Sequence, residues 1–145
     1  MEVQRIAFIA PSSLPHKTSE AIEVEDEGQG RTYTIPKGAV LFSNLRQILT
    51  DPRIFADPKA FSPERFLHKD GSLNRPAEFV PFGLGKRVCM GDTLARNELL
   101  IFFAMILQRT SIQWVESRGQ PNPTRYTMGI TTIPDQFYLT FKSRL

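Results

Sequence analysis

The stretch Phe82-Gly83-Leu84-Gly85-Lys86-Arg87-Val88-Cys89-Met90-Gly91 decides how this chain is read, because it holds the single cysteine. A lone cysteine is by default a small buried hydrophobe. This one has a different setting. Glycines at 83, 85 and 91 let the backbone turn sharply and come close to something flat. Arg87 lies two residues before the sulfur. Just beyond Gly91 a long helix is expected, and its free N–H groups favour an anion nearby. Such a setting favours a thiolate, which is either a nucleophile or a soft metal ligand.

Two readings compete at this point. A nucleophilic cysteine enzyme needs a base, but the histidines are only His16 and His68, and no catalytic-cysteine signature surrounds Cys89. A single axial thiolate on heme iron needs one cysteine, glycines that clear the porphyrin face, and cations for the propionates. The second reading fits the residues better.

Working outward, residues 92–108 form the strongest helical pattern, without Gly or Pro. Its second half is apolar on every face, which predicts deep burial. Residues 50–81 hold Pro52, Pro58, Pro63, Pro76 and Pro81 between Phe55, Phe61, Phe66 and Phe79. That pattern predicts irregular chain pinned by aromatic anchors. Residues 2–9 read as the end of a helix stopped by Pro11. Arg31-Thr32-Tyr33-Thr34-Ile35 reads as half of a hairpin behind a Gly28-Gln29-Gly30 turn, and 39–42 as a short buried strand. Asn44 caps a short helix through Leu49. Beyond Thr110, strands are expected at 112–115, 126–128 and 137–140.

Composition limits the function classes. The 145 residues are 41% hydrophobic and 23% charged, an ordinary globular balance. One cysteine excludes an internal disulfide framework and an all-cysteine zinc site. Net charge is +3 and the pI about 9.2, but the cations are scattered, which argues against a nucleic-acid partner. No signal peptide opens the chain, and the longest apolar run, Leu99 to Leu107, is too short to span a membrane.

Residues 82–91 match F-x-x-G-x-R-x-C-x-G at every fixed position, and the chain thereby resembles the cytochrome P450 family, in wording closest to animal microsomal members. Chance gives on the order of 10⁻⁵ such matches per chain. The resemblance covers residues 2–145 and implies a mixed α+β fold, the C-terminal part of the P450 architecture. It divides the chain as one partial domain: end of the K helix at 1–9, strands and a short helix at 10–49, a meander at 50–81, the heme-cysteine loop at 82–91, the L helix at 92–108, and C-terminal strands at 110–145.

What the resemblance implies about residues follows the same motifs. Cys89 is the catalytic axial thiolate on the iron of heme b. Arg87 and His16 pair with heme propionates, while Phe82 and Gly83 lie against the cofactor. Glu2-Val3-Gln4-Arg5 resembles the E-x-x-R of the K helix, and Pro63-Glu64-Arg65-Phe66 the P-E-R-F of the meander. Glu2, Arg5 and Arg65 would then form a structural charge triad; taken without the resemblance, Glu2 and Arg5 read as a solvated surface pair. Ile9, Ala10, Ser12, Ser13, Met128, Gly129 and Ile130 line the substrate pocket, though Met128 read alone is strand core. His68 is a solvated turn residue.

The implied activity is a monooxygenase that inserts one oxygen atom from O2 into a small apolar substrate, with electrons from a flavoprotein NADPH reductase docked near Lys86, Arg87 and Arg96. The implied location is the endoplasmic reticulum membrane. Family members are about three times longer, and no A/G-G-x-D/E-T-like pattern of the proton-delivering I helix occurs here. A chain lacking that helix is expected to expose apolar surface and to bind heme weakly or not at all.

Overall fold

The computed structural model describes residues 1–26, 28–120, 122 and 125–144. The chain divides into two units, Met1–Phe79 and Val80–Leu145, and each is taken by itself.

The first unit opens with helix α1, Glu2–Ala7. It is shorter than the expected 2–9, because Phe8 turns to φ 25 and its amide donates to Gln4 O at 3.3 Å. The chain leaves the helix there, before Pro11 is reached. Strand β1, His16–Lys17, pairs antiparallel with β4, Val40–Leu41. Strands β2, Ile22–Asp26, and β3, Arg31–Ile35, form the hairpin expected from their alternation. Asn44 caps α2, Leu45–Leu49, its side-chain oxygen accepting from Gln47 N at 3.0 Å.

The expected burial of 39–42 is corrected: Val40 is 58% and Phe42 63% exposed. A two-residue pairing carries no sheet face wide enough to cover them. The core of this unit lies in the proline-rich segment instead. Phe55, Phe66 and Phe79 are almost wholly buried. Phe66 packs edge-on to Phe79 at 5.0 Å and tilted to Phe55 at 6.3 Å between ring centres. Phe61, expected among these anchors, is 62% exposed. His68 is exposed, within a turn closed by Gly71 N on His68 O.

The second unit carries α3, Asp92–Arg109, followed by β5, Thr110–Trp114. β5 pairs antiparallel with β8, Leu139–Ser143, and β6, Tyr126–Met128, with β7, Thr132–Pro134. The last strand therefore starts two residues later than expected, and β7 went unread because Pro134 masks its alternation.

Deep burial of the long helix is also corrected. Leu100, Ile101, Phe102, Phe103, Met105, Ile106 and Leu107 are all exposed. A helix closes most of its backbone hydrogen bonds along its own axis, and the described residues of this unit supply no layer that covers its apolar surface. Composition sets what would gain from burial, and packing sets what is buried. Among the described residues no helix is long and apolar enough to cross a membrane.

Candidate functional site

The cysteine loop runs from Phe82 to the start of α3. Gly83 and Gly85 adopt φ 78 and 69, conformations that L side chains rarely take. A Cβ at either would meet no atom within 4 Å. The glycines are therefore needed for the turn, and they leave open space beside the loop. Gly85–Arg87 forms a short 3-10 turn, closed by Val88 N donating to Gly85 O at 3.1 Å. Cys89 N donates to Phe82 O at 2.9 Å, and Asp92 N to Cys89 O at 3.3 Å. These bonds fix the cysteine backbone while its side chain stays exposed. Met90 and Leu84 beside it are 102% and 71% exposed.

The donor chemistry of this loop suits a metal already held by a macrocycle. Among the described residues no group of three or more His, Cys, Asp or Glu is placed to hold a bare ion. A lone exposed thiol, flanked by apolar side chains and glycine-lined space, needs only one open coordination position. Heme fits that set. Arg87 is exposed at the end of the short turn, and Lys86 is exposed beside it.

Arg96, which the resemblance places among the docking cations, is engaged within its own unit. Its Nε donates to Asp92 Oδ1, and its guanidinium carbon lies 5.1 Å from the centre of the Phe82 ring. The i, i+4 spacing of Asp92 and Arg96 was a legible signal for this pair.

The charge cluster lies in the first unit. Arg5 Nε and Nη2 each donate to a different carboxylate oxygen of Glu2 at 2.8 Å. Nη1 donates to Leu49 O at 3.0 Å and Pro58 O at 2.8 Å, and Nη2 also to Ala60 O at 3.3 Å. All five donors of the guanidinium are thus engaged, which lets a charged side chain sit with 0% exposure. Its guanidinium carbon also lies 5.4 Å from the Phe55 ring centre. Arg65 Nε reaches Glu2 Oε1 at 3.2 Å, and its other donors reach Ala56 O, Asp57 O and Ala60 O. Ser62 N adds a bond to the same Glu2 oxygen at 3.1 Å.

The Glu2–Arg5 pair is therefore buried, not solvated. Burial by itself pushes the Glu2 carboxyl up, but the Arg5 bond, the Ser62 amide and the two guanidinium charges outweigh it and hold it below its usual range. Sequence reasoning missed Ser62 and the carbonyls of Leu49, Pro58 and Ala60, since backbone acceptors leave no residue-type signal. Asp57, whose carbonyl accepts from Arg65, stands at φ 44.

The remaining expected residues are scattered. His16 is half-buried on β1, in register with Leu41. Ile9, Ala10 and Ser12 are exposed, and Ser13 is half-buried. Ser13 N donates to Ser43 O at 2.9 Å, and Ser43 N to Ser13 Oγ at 2.8 Å, tying this segment to the start of α2. Met128 ends β6 and is 53% exposed, so it is not strand core. Gly129 and Ile130 form the turn into β7, with Ile130 89% exposed. An open apolar hollow of about 380 Å³ lies elsewhere in the same unit, lined by Phe102, Met105, Ile106, Arg109, Thr110 and Phe141.

Comparison with known proteins gives the family. The family profile described as Cytochrome P450 matches residues 1–141. The chain is 39% identical over 144 residues to cytochrome P450 2U1 of Homo sapiens, covering 99% of this chain and 25% of that protein. Against cytochrome P450 2D4 of Rattus norvegicus the identity is 41% over 144 residues, with 99% and 27% covered. Against cytochrome P450 2B2 of Rattus norvegicus it is 37% over 143 residues, with 99% and 28% covered. The chain spans about a quarter of the length of these relatives. On the profile match, the relatives and the mixed α+β architecture, this chain belongs to the cytochrome P450 family.

Proposed function

We propose that this chain provides the thiolate site of a heme-dependent monooxygenase, with Cys89 as the axial ligand of heme b. The carrying observation is the exposed Cys89 side chain on a loop whose backbone is fixed by Phe82 O and whose glycines leave open space. In this reading Phe82 and Gly83 face the cofactor and Arg87 neutralises a propionate, while His16 of the first unit is a propionate partner on the family resemblance alone. When bound, the heme supplies the chemistry by which one atom of O2 enters an apolar substrate and the other leaves as water, with electrons from NADPH.

The protein's own residues do the rest. The Cys89 amide is held, which fixes the backbone position from which the sulfur projects. Glu2, Arg5 and Arg65 act as a structural triad that draws the carbonyls of 49, 56–58 and 60 together and fixes the meander. The family resemblance assigns substrate contact to Ile9, Ala10, Ser12 and Ser13 of the first unit and to Met128, Gly129 and Ile130 of the second, each taken within its own unit. Exposed Lys86 and Arg87 offer positive charge to an acidic flavoprotein NADPH reductase. The endoplasmic reticulum membrane is the proposed location.

The exposure of α3 favours a second reading, in which this chain by itself binds heme weakly or not at all. The reduced, carbon-monoxide-bound difference spectrum of the heme-reconstituted chain decides. A strongly red-shifted Soret band, absent in Cys89→Ser, supports thiolate ligation. No such band in the parent chain supports the second reading.

A further inference from the structure

We propose that Arg96 is a positioning residue for the cysteine loop, clamping its two ends together through Phe82 and Asp92. The loop begins at Phe82, whose carbonyl accepts from the Cys89 amide at 2.9 Å, and ends at Asp92, whose amide donates to Cys89 O at 3.3 Å. One turn into α3, Arg96 touches both ends. Its Nε donates to Asp92 Oδ1, and its Nη2 lies 3.4 Å from Oδ2. Its guanidinium carbon stands 5.1 Å from the Phe82 ring centre. The Arg96 and Asp92 side chains are 24% and 25% exposed, so the contact is partly desolvated.

Only a planar, delocalised cation can stack on the ring and fork onto the carboxylate together; lysine offers a point charge. The Phe82 ring and the Phe82 carbonyl belong to one residue. A guanidinium that holds the ring therefore holds the acceptor of the cysteine amide. Groups that orient a metal ligand tune the metal through it. Its charge is spent inside the loop, which makes Arg96 a weaker docking residue than Lys86 or Arg87.

The spectroscopic part of the test rests on the reading of Cys89 as heme ligand, and the structural part does not. Amide hydrogen exchange at Cys89 and Asp92 is measured in the full chain without heme, for Arg96→Lys, Arg96→Gln, Phe82→Leu and Phe82→Leu/Arg96→Lys. Arg96→Lys is expected to speed exchange at Cys89 about two- to fivefold, the factor of losing a cation–ring contact when a point charge replaces the planar fork. Phe82→Leu is expected to do the same, and the double variant to add nothing. Unchanged exchange at Cys89 in Arg96→Lys, or effects that multiply in the double variant, overturns the proposal. Should Arg96→Gln fail to fold, the lysine variant still decides, with helical circular dichroism as its control. In heme-loaded chain, Arg96→Lys is expected to lose part of the red-shifted Soret band, and full retention overturns a role toward the ligand. Absence of that band in the parent chain counts against heme ligation, and the exchange data then decide the clamp alone.

Discussion

Arg5 and Glu2 form a two-pronged pair in which each carboxylate oxygen receives a guanidinium N–H at 2.8 Å, with both side chains removed from solvent. Such a pair is costly to desolvate, and its geometry must be complete. Here it is, because carbonyls 44 to 55 residues further along the chain take the remaining Arg5 donors. The pair thus converts one helical turn into an anchor for the proline-rich segment.

Removing one partner leaves an uncompensated buried charge. Glu2→Gln and Arg5→Gln are each expected to cost about 3–5 kcal/mol in urea unfolding. A loss below about 1 kcal/mol in both would show that the proline-rich segment is held by its phenylalanines alone.

Acid should weaken the first unit in two stages. Glu2 sits below its usual value of 4.5, and Arg53, through its side chain and amide, brings Asp51 from 3.8 down to about 2. A carboxyl depressed in the folded state adds stability above its unfolded value, and loses it as pH falls through the folded one. The urea midpoint should therefore fall once pH drops below 4.5 and keep falling to about 2. Asp51→Asn should flatten the lower part of that profile. A midpoint that rises on acidification would contradict the assignment.

The two phenylalanines at 61 and 66 offer a paired control. Phe66 is 3% exposed between two rings, and Phe61 is 62% exposed. Phe66→Ala should cost about 3–5 kcal/mol, and Phe61→Ala about 0.5 kcal/mol or less. Equal losses in thermal or urea unfolding would place a core where the structure has none.

Apolar surface on α3 should drive self-association. Leu100 and Phe102 are 70% and 62% exposed within a nearly continuous apolar stretch. Static light scattering of the full chain is expected to rise with concentration, and Leu100→Gln/Phe102→Gln to suppress the rise. A parent chain that stays monomeric at high concentration would contradict this.

The parts of the chain readable from residues alone are those whose stabilising contacts lie nearby in sequence. The β2–β3 hairpin needs only its alternation and a Gly28-Gln29-Gly30 turn. Asn44 needs only the amide of Gln47 to start α2. The cysteine loop needs glycines at 83 and 85 and a donor in Cys89 N. The family resemblance was carried by the same local patterns, and the match over residues 1–141 agrees with it.

Distance along the chain is what hid the rest. Helical spacing puts Glu2 and Arg5 on one face, but their burial depends on Leu49, Pro58, Ala60 and Arg65, which folding alone brings near. Phe61 and Phe66 are the same residue type in the same proline-rich run, and only packing separates them. Leu99 to Leu107 is apolar enough for a core, yet α3 lies exposed, because a helix closes its hydrogen bonds within itself and gains a covering layer only from other elements. Local bonding is encoded in neighbouring residues; burial is a property of what else arrives in space.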